Sequence, residues 1–206
     1  MHPLTDSLWP GLLLWVVLYI SDYTFTITCA RMYRDGVREY IAFEGSFELT
    51  PYFQKDVDSL RKVSPRFLVA LAATLITLVA LWMLSRLVWP AGYAFGLGAL
   101  VLVEAAIHTR HLRNYFLFRR ILAGGAVKGR IEYNRPAMLE LSAYELLGFA
   151  GVYLLLFIAT LEPFIAGGVA GCLSLAAKHF PRARAPRPER SKGVEGQAQA
   201  QQAESR

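Results

Sequence analysis

Phe67-Leu-Val-Ala-Leu-Ala-Ala-Thr-Leu-Ile-Thr-Leu-Val-Ala-Leu-Trp-Met-Leu-Ser-Arg-Leu-Val-Trp89 carries one charge, Arg86, close to its end. About 20 consecutive apolar residues in helical form cross a hydrocarbon core ~30 Å thick. No water reaches that core, so the backbone must satisfy its own hydrogen bonds, and the run reads as a transmembrane helix. Two neighbouring runs have the same character. Leu8 to Ala30 contains only Asp22 as a charge, and Ala91 to Ile107 contains only Glu104. With 54% apolar residues, the chain is too hydrophobic for an ordinary soluble domain.

Leu139 to Lys178 is apolar for longer than one crossing needs and is interrupted by Glu162-Pro163. It reads either as one long kinked helix or as two crossings, roughly Leu141 to Leu161 and Phe164 to Ala177. In the second reading, Gly167, Gly168 and Gly171 allow close helix packing. The placement of lysine and arginine favours two crossings. Residues 1–30 contain neither, whereas 31–66 and 110–135 are rich in both. These basic stretches are expected in the cytoplasm, with the N-terminus outside. Five crossings also keep Lys178, Arg182, Arg184, Arg187, Arg190, Lys192 and Arg206 inside, and four would export them. The expected fold is therefore an all-α membrane bundle of five transmembrane helices (alternatively four) with a small α+β cytoplasmic cap. It is a multi-pass cell-membrane protein with its C-terminus in the cytoplasm. The first apolar run is full length and lacks a basic leader, so no cleavable signal peptide is expected.

The polytopic domain covers 1–180, with cap segments at 31–65 and 110–136. Tyr40-Ile-Ala-Phe43 and Ser46-Phe-Glu-Leu49 flank Glu44-Gly45 as a hairpin would. Thr50-Pro51 reads as a helix start, with Phe53, Val57 and Leu60 on one face, and Ser64-Pro65 closes that helix. Lys55, Asp56, Asp58 and Arg61 face away. Val127 to Tyr133 alternates with a period of two, so a third strand is expected to join the hairpin. Glu44 or Glu48 would then lie across from Lys128 or Arg130. Residues 181–206, with Arg-Ala-Arg-Ala-Pro-Arg-Pro and a Gln/Ala-rich end, read as a disordered basic cytoplasmic tail.

The candidate chemistry lies on the third apolar run. Glu104, His108, His111 and Tyr115 are spaced by 4, 3 and 4 residues and share one helix face. Asp22 lies at a similar depth on the first run, with Tyr19 and Thr26 on its own face. Acids inside a bilayer are costly and call for partners. One expectation is an intramembrane polar network in which His108 or the Thr24–Thr28 hydroxyls satisfy Asp22 and Glu104 and brace the helices. A second is a small ion- or proton-linked transporter or channel subunit using Asp22, Glu104 and His108, with Asp22 and His108 sharing a proton. A third is a metal-dependent membrane enzyme in which Glu104, His108 and His111 hold a divalent ion, helped by Asp22, Glu140 or Glu145.

Arg110, Arg113, Arg119 and Arg120 form a basic collar with Tyr115, Phe116 and Phe118, and of these Arg110, Arg113 and Arg120 point away from that face. The collar anchors the helix at the interface or receives an anionic lipid head group. The leading expectation is a non-enzymatic component that binds a partner protein or anionic lipid through its cytoplasmic face. No Walker A loop, nucleophile elbow or serine–histidine constellation indicates an enzyme. Asp35, Gly36, Gly45, Asp56 and Asp58 lack the spacing of the CDP-alcohol phosphotransferase signature. Cys29 and Cys172 form neither a disulfide framework nor a zinc motif. The net charge of +6 follows from the positive-inside bias, and no nucleic-acid-binding motif accompanies it. Apart from the possible divalent metal, no cofactor is implied.

Overall fold

The computed structural model describes residues 4–124 and 127–184, and the chain is mostly helical. Helix α1 spans Leu8–Arg34, α2 Pro51–Asp58, α3 Pro65–Leu87, α4 Gly92–Leu122, α5 Arg135–Thr160 and α6 Pro163–Arg184. The helix starts follow local chemistry. Ser64 caps α3 by accepting a hydrogen bond from the Phe67 N–H at 3.2 Å, and Pro65 takes the first helical position, where no donor is needed. Asn134 caps α5 through its Oδ1, accepting from the Ala137 N–H at 2.8 Å. Helix α5 stops at Leu161, which adopts a left-handed conformation, and Pro163 opens α6 two residues later.

Four of these helices, α1, α3, α4 and α5, are long and apolar enough to cross a membrane. Helix α6 has the length but is more polar, with Lys178, His179 and Arg182 in its second half. It packs along α5 and α4, so protein rather than solvent or lipid covers much of it. The α4–α6 contact depends on glycine. A Cβ on Gly98 would lie 1.8 Å from the Phe164 carbonyl oxygen, and one on Gly167 would lie 1.9 Å from that of Phe95. The two backbones therefore touch, as expected for Gly167 and Gly171. Helix α4 is central, packing on α1 and α3 as well as α6, whereas α5 packs on α6 and barely on α4. Trp15, Leu78, Tyr93, Leu97 and Val101 fill the interior at the end away from the sheet.

Two short strands, β1 (Ile41–Phe43) and β2 (Ile131–Tyr133), pair in parallel, with Ala42 opposite Glu132. The α1–α3 and α4–α5 connections therefore meet, as their alternation suggests. The hairpin is not formed. Ser46 to Leu49 is irregular, because Ser46 Oγ donates to Asp58 Oδ1 at 2.7 Å and accepts from the Glu48 N–H. The sheet therefore has two strands, not three. Glu44 Oε2 accepts from the Arg135 N–H, Glu48 Oε1 accepts from the Thr50 N–H, and Arg130 pairs with Glu132 on its own strand. Helix α2 starts at Pro51 as expected, and Val57 is buried with Phe53 and Leu60 beside Tyr23 and Phe67. Asp56 is also buried instead of facing solvent. It accepts from Ser64 Oγ at 2.6 Å and pairs with Arg61 at 3.3 Å. Helix α6 continues through Pro181 to Arg184, so the tail begins later than 181. The rest of the expected tail lies outside the described residues.

Candidate functional site

The side chains meet where α1 faces α4. Trp15 donates to Thr74 at 2.8 Å, and Tyr19 stacks on Phe67 with ring centroids 4.8 Å apart, tying α1 to α3. This orientation turns Ser21, Asp22 and Thr26 toward the Glu104–His108–His111 face of α4. His111 Nε2 lies 2.8 Å from Asp22 Oδ1, off the direction of a good hydrogen bond, and 3.4 Å from Thr26 Oγ1. Asp22 therefore pairs directly with His111, not with His108 as the spacing suggested. Thr24 and Thr28 do not brace Asp22, because each donates to the carbonyl four residues earlier on α1.

His108 has a different set of partners. Its Nδ1 is 2.7 Å from the Glu104 carbonyl oxygen and 3.7 Å from Glu104 Oε2. Its Nε2 is 2.7 Å from Ser21 Oγ, which also lies 2.9 Å from the Leu18 carbonyl. A carbonyl only accepts, so Nδ1 carries a proton. The Ser21 hydroxyl has one proton, which goes either to Leu18 or to Nε2. When it points to Leu18, the Ser21 oxygen is left to accept. Phe25 meets the His108 ring edge-on at 6.1 Å.

Asp22, Glu104 and His108 each offer a ligand atom, and these atoms lie within 4.8 Å of one another. Glu104 is 8% exposed, and its Oε2 has no hydrogen-bond partner. His111 Nδ1 is likewise buried without a partner. Tyr115 does not join the network. It lies edge-on to Phe25 and Phe116 and carries Arg119 over its ring at 5.7 Å.

The network borders a cavity of about 570 Å³ between α1, α4, α5 and the 41–57 connection. Phe43, Phe47, Phe53, Phe67, Leu117 and Leu141 give it apolar walls, and Asp22, Glu104 and His111 line its polar side. Arg110 does not point away. It donates to Ser142 at 2.5 Å, and Arg110 and Arg113 each lie 3.7 Å from Glu145. Both line the cavity, while Arg119 and Arg120 are exposed outside it. Glu48 also lines it. Burial pushes the Glu48 carboxyl above the usual range, against the pull of its hydrogen bonds from Thr50. His179 of α6 completes the lining, buried and with Nδ1 unpaired.

Sequence reasoning missed Ser21, Glu48 and His179 as members of this site. Ser21 adjoins Asp22, and a polar residue next to a buried acid is a usable signal. Glu48 and His179 belong to other segments and gave no local sign. Neither a protein-family model, a curated protein nor a solved structure matches this chain.

Proposed function

We propose that this chain is a five-span membrane protein, N-terminus outside, that binds the phosphate-bearing head group of a lipid in the cavity at its cytoplasmic face. The cavity carries the reading. At about 570 Å³ it is far larger than one ion needs and falls within the size range of ligand pockets. Its walls combine aromatic and aliphatic side chains with the guanidinium groups of Arg110 and Arg113. Guanidinium forks match phosphate geometry, and basic pockets between helices near the inner surface recognise lipid head groups. Leu141 is exposed and lines the cavity, so an acyl chain could leave past it into the bilayer. The two connections joined by the β1–β2 pair act as the cytoplasmic cap over the site. Helix α6 makes the fifth crossing, about 33 Å long at 1.5 Å per residue for its 22 residues.

An ion- or proton-linked carrier built on Asp22, Glu104 and His108 is the less favoured reading. It needs a path to the opposite face, and there α1, α3 and α4 close on Trp15, Leu78, Tyr93, Leu97 and Val101. The head-group reading is tested by mass spectrometry of lipids retained through detergent purification. Arg110→Ala with Arg113→Ala should lower retained phospholipid at least about tenfold, the loss of roughly 1.4 kcal/mol of binding. Excess inorganic phosphate should not displace the lipid, since the apolar walls contribute. Unchanged retention in the folded double variant would sink the proposal.

A further inference from the structure

The cavity lining has an imbalance that the head-group reading leaves unexplained. Asp22, Glu48, Glu104 and Glu145 contribute four carboxylates, against the two guanidiniums of Arg110 and Arg113. A phosphate added to such a lining meets more carboxyl groups than guanidiniums. Within the lining, Glu104 has an oxygen that is buried and has no hydrogen-bond partner. Burying a carboxylate without compensation costs several kcal/mol, so an ionised oxygen in that position calls for a cation.

We infer that Asp22, Glu104 and His108 bind one divalent first-row transition-metal ion at the polar side of the cavity. The three ligand atoms lie within 4.8 Å of one another. Oxygen and nitrogen ligands sit about 2.0–2.2 Å from such an ion, so neighbouring ligands of a tetrahedral site are about 3.3–3.6 Å apart. Binding therefore draws the side chains together, by up to about 1.5 Å for the widest pair. Two carboxylates and an imidazole, without a thiolate, suit Zn²⁺, Mn²⁺ or Co²⁺. The imidazole discriminates against Mg²⁺ and Ca²⁺, which take oxygen ligands.

The surroundings support this donor set. A metal-bound histidine is normally held by a hydrogen bond from its other ring nitrogen. His108 would take the ion on Nε2, while Nδ1 keeps its partner at 2.7 Å, the Glu104 carbonyl. Ser21 can release the ring without losing a partner of its own, because Leu18 offers a second acceptor at 2.9 Å. Asp22 is oriented by His111 Nε2, a contact that leaves the rest of its carboxylate for the ion. His111 is therefore a positioning residue here and not a ligand, which changes the set expected from helical spacing alone. With a divalent ion bound, the ion, Arg110 and Arg113 together face an incoming phosphate.

The inference stands apart from the head-group reading, and one set of measurements separates them. Full-length protein purified in detergent, with its affinity tag removed, is stripped with a chelator and titrated with Co²⁺. One Co²⁺ per chain should bind, giving a d–d absorption spectrum of nitrogen and oxygen coordination that is lost on adding Zn²⁺ and unaffected by excess Mg²⁺. His108→Ala and Glu104→Gln should each weaken Co²⁺ binding at least about tenfold, and Arg119→Ala should leave it unchanged. Should either site variant fail to fold, Ser21→Ala and the thermal stability of the wild type with and without Zn²⁺ serve instead. Wild type stabilised by Zn²⁺ but not Mg²⁺ supports the site. No Co²⁺ uptake by folded wild type overturns it, as does wild-type affinity in folded His108→Ala and Glu104→Gln. Protein that retains phospholipid yet binds no metal overturns only this inference. Protein that binds Co²⁺ after complete delipidation retains it, whatever becomes of the head-group reading.

Discussion

Asp22 serves two purposes with one short side chain. It touches His111 and also lies within 4.8 Å of Glu104 and His108, so α1 has one acid for a face of α4 that carries three titratable groups. A carboxylate at the next position along α1 could not replace it, since one residue of displacement turns the side chain by about 100°. Glu48 is a more peripheral acid with a clear thermodynamic signature. Its carboxyl titrates above the ordinary range because burial disfavours the charged form. The folded protein therefore binds that proton more tightly than the unfolded chain does. The associated stability is fully present below the ordinary carboxyl value and is lost as pH rises through the raised one. Glu48→Gln keeps an oxygen for the Thr50 N–H and removes the charge. Thermal denaturation should show the variant matching wild type at pH 4 and exceeding it at pH 8. A variant less stable than wild type at pH 8 would contradict the burial argument.

At the level of elements, α4 organises the molecule. Its 31 residues extend about 46 Å, well beyond a hydrocarbon core, so its basic end projects past the apolar region. The same helix presents the polar face to α1 and a glycine surface to α6. The glycine surface should be unforgiving. Gly98→Leu forces the α4 and α6 backbones apart, an overpacking expected to cost at least about 1–3 kcal/mol. Gly148→Leu on α5 meets nothing within 4 Å and should be tolerated. Chemical denaturation in detergent compares the two, and equal losses would mean that the α4–α6 contact is looser than described.

For the whole molecule, the β1–β2 pair is the decisive constraint. It places the α1–α3 and α4–α5 connections at one end of the bundle, as the up-and-down course of four apolar helices requires. The proposed fifth crossing by α6 would return the C-terminus to that same side. Fusions to the C-terminus should show a fluorescent protein that matures and an alkaline phosphatase that stays inactive. An active phosphatase there would leave four crossings and place the basic tail outside.

The four apolar helices were legible because hydrophobic length in a bilayer is a local property, set by side chains within one segment. The start of α2 at Pro51 and the end of α5 before Glu162-Pro163 were legible for the same reason, since caps and prolines act within a few residues. The hairpin failed where Ser46 found Asp58 in place of a strand neighbour, a contact twelve residues away. The stripe of Glu104, His108 and His111 could be read from helical period. Asp22 could be named as a partner from its depth, but its pairing with His111 could not, because that depends on how α1 rotates when Tyr19 stacks on Phe67 and Trp15 reaches Thr74. Sequence alone determined that this chain has helices long and apolar enough to cross a membrane, and which of them carries its titratable face. Tertiary structure alone decided that His111 takes Asp22, that Arg110 turns inward to Ser142 and Glu145, and that Glu48 and His179 share one cavity with them. Those pairings join segments far apart in the chain, and only packing sets their distances.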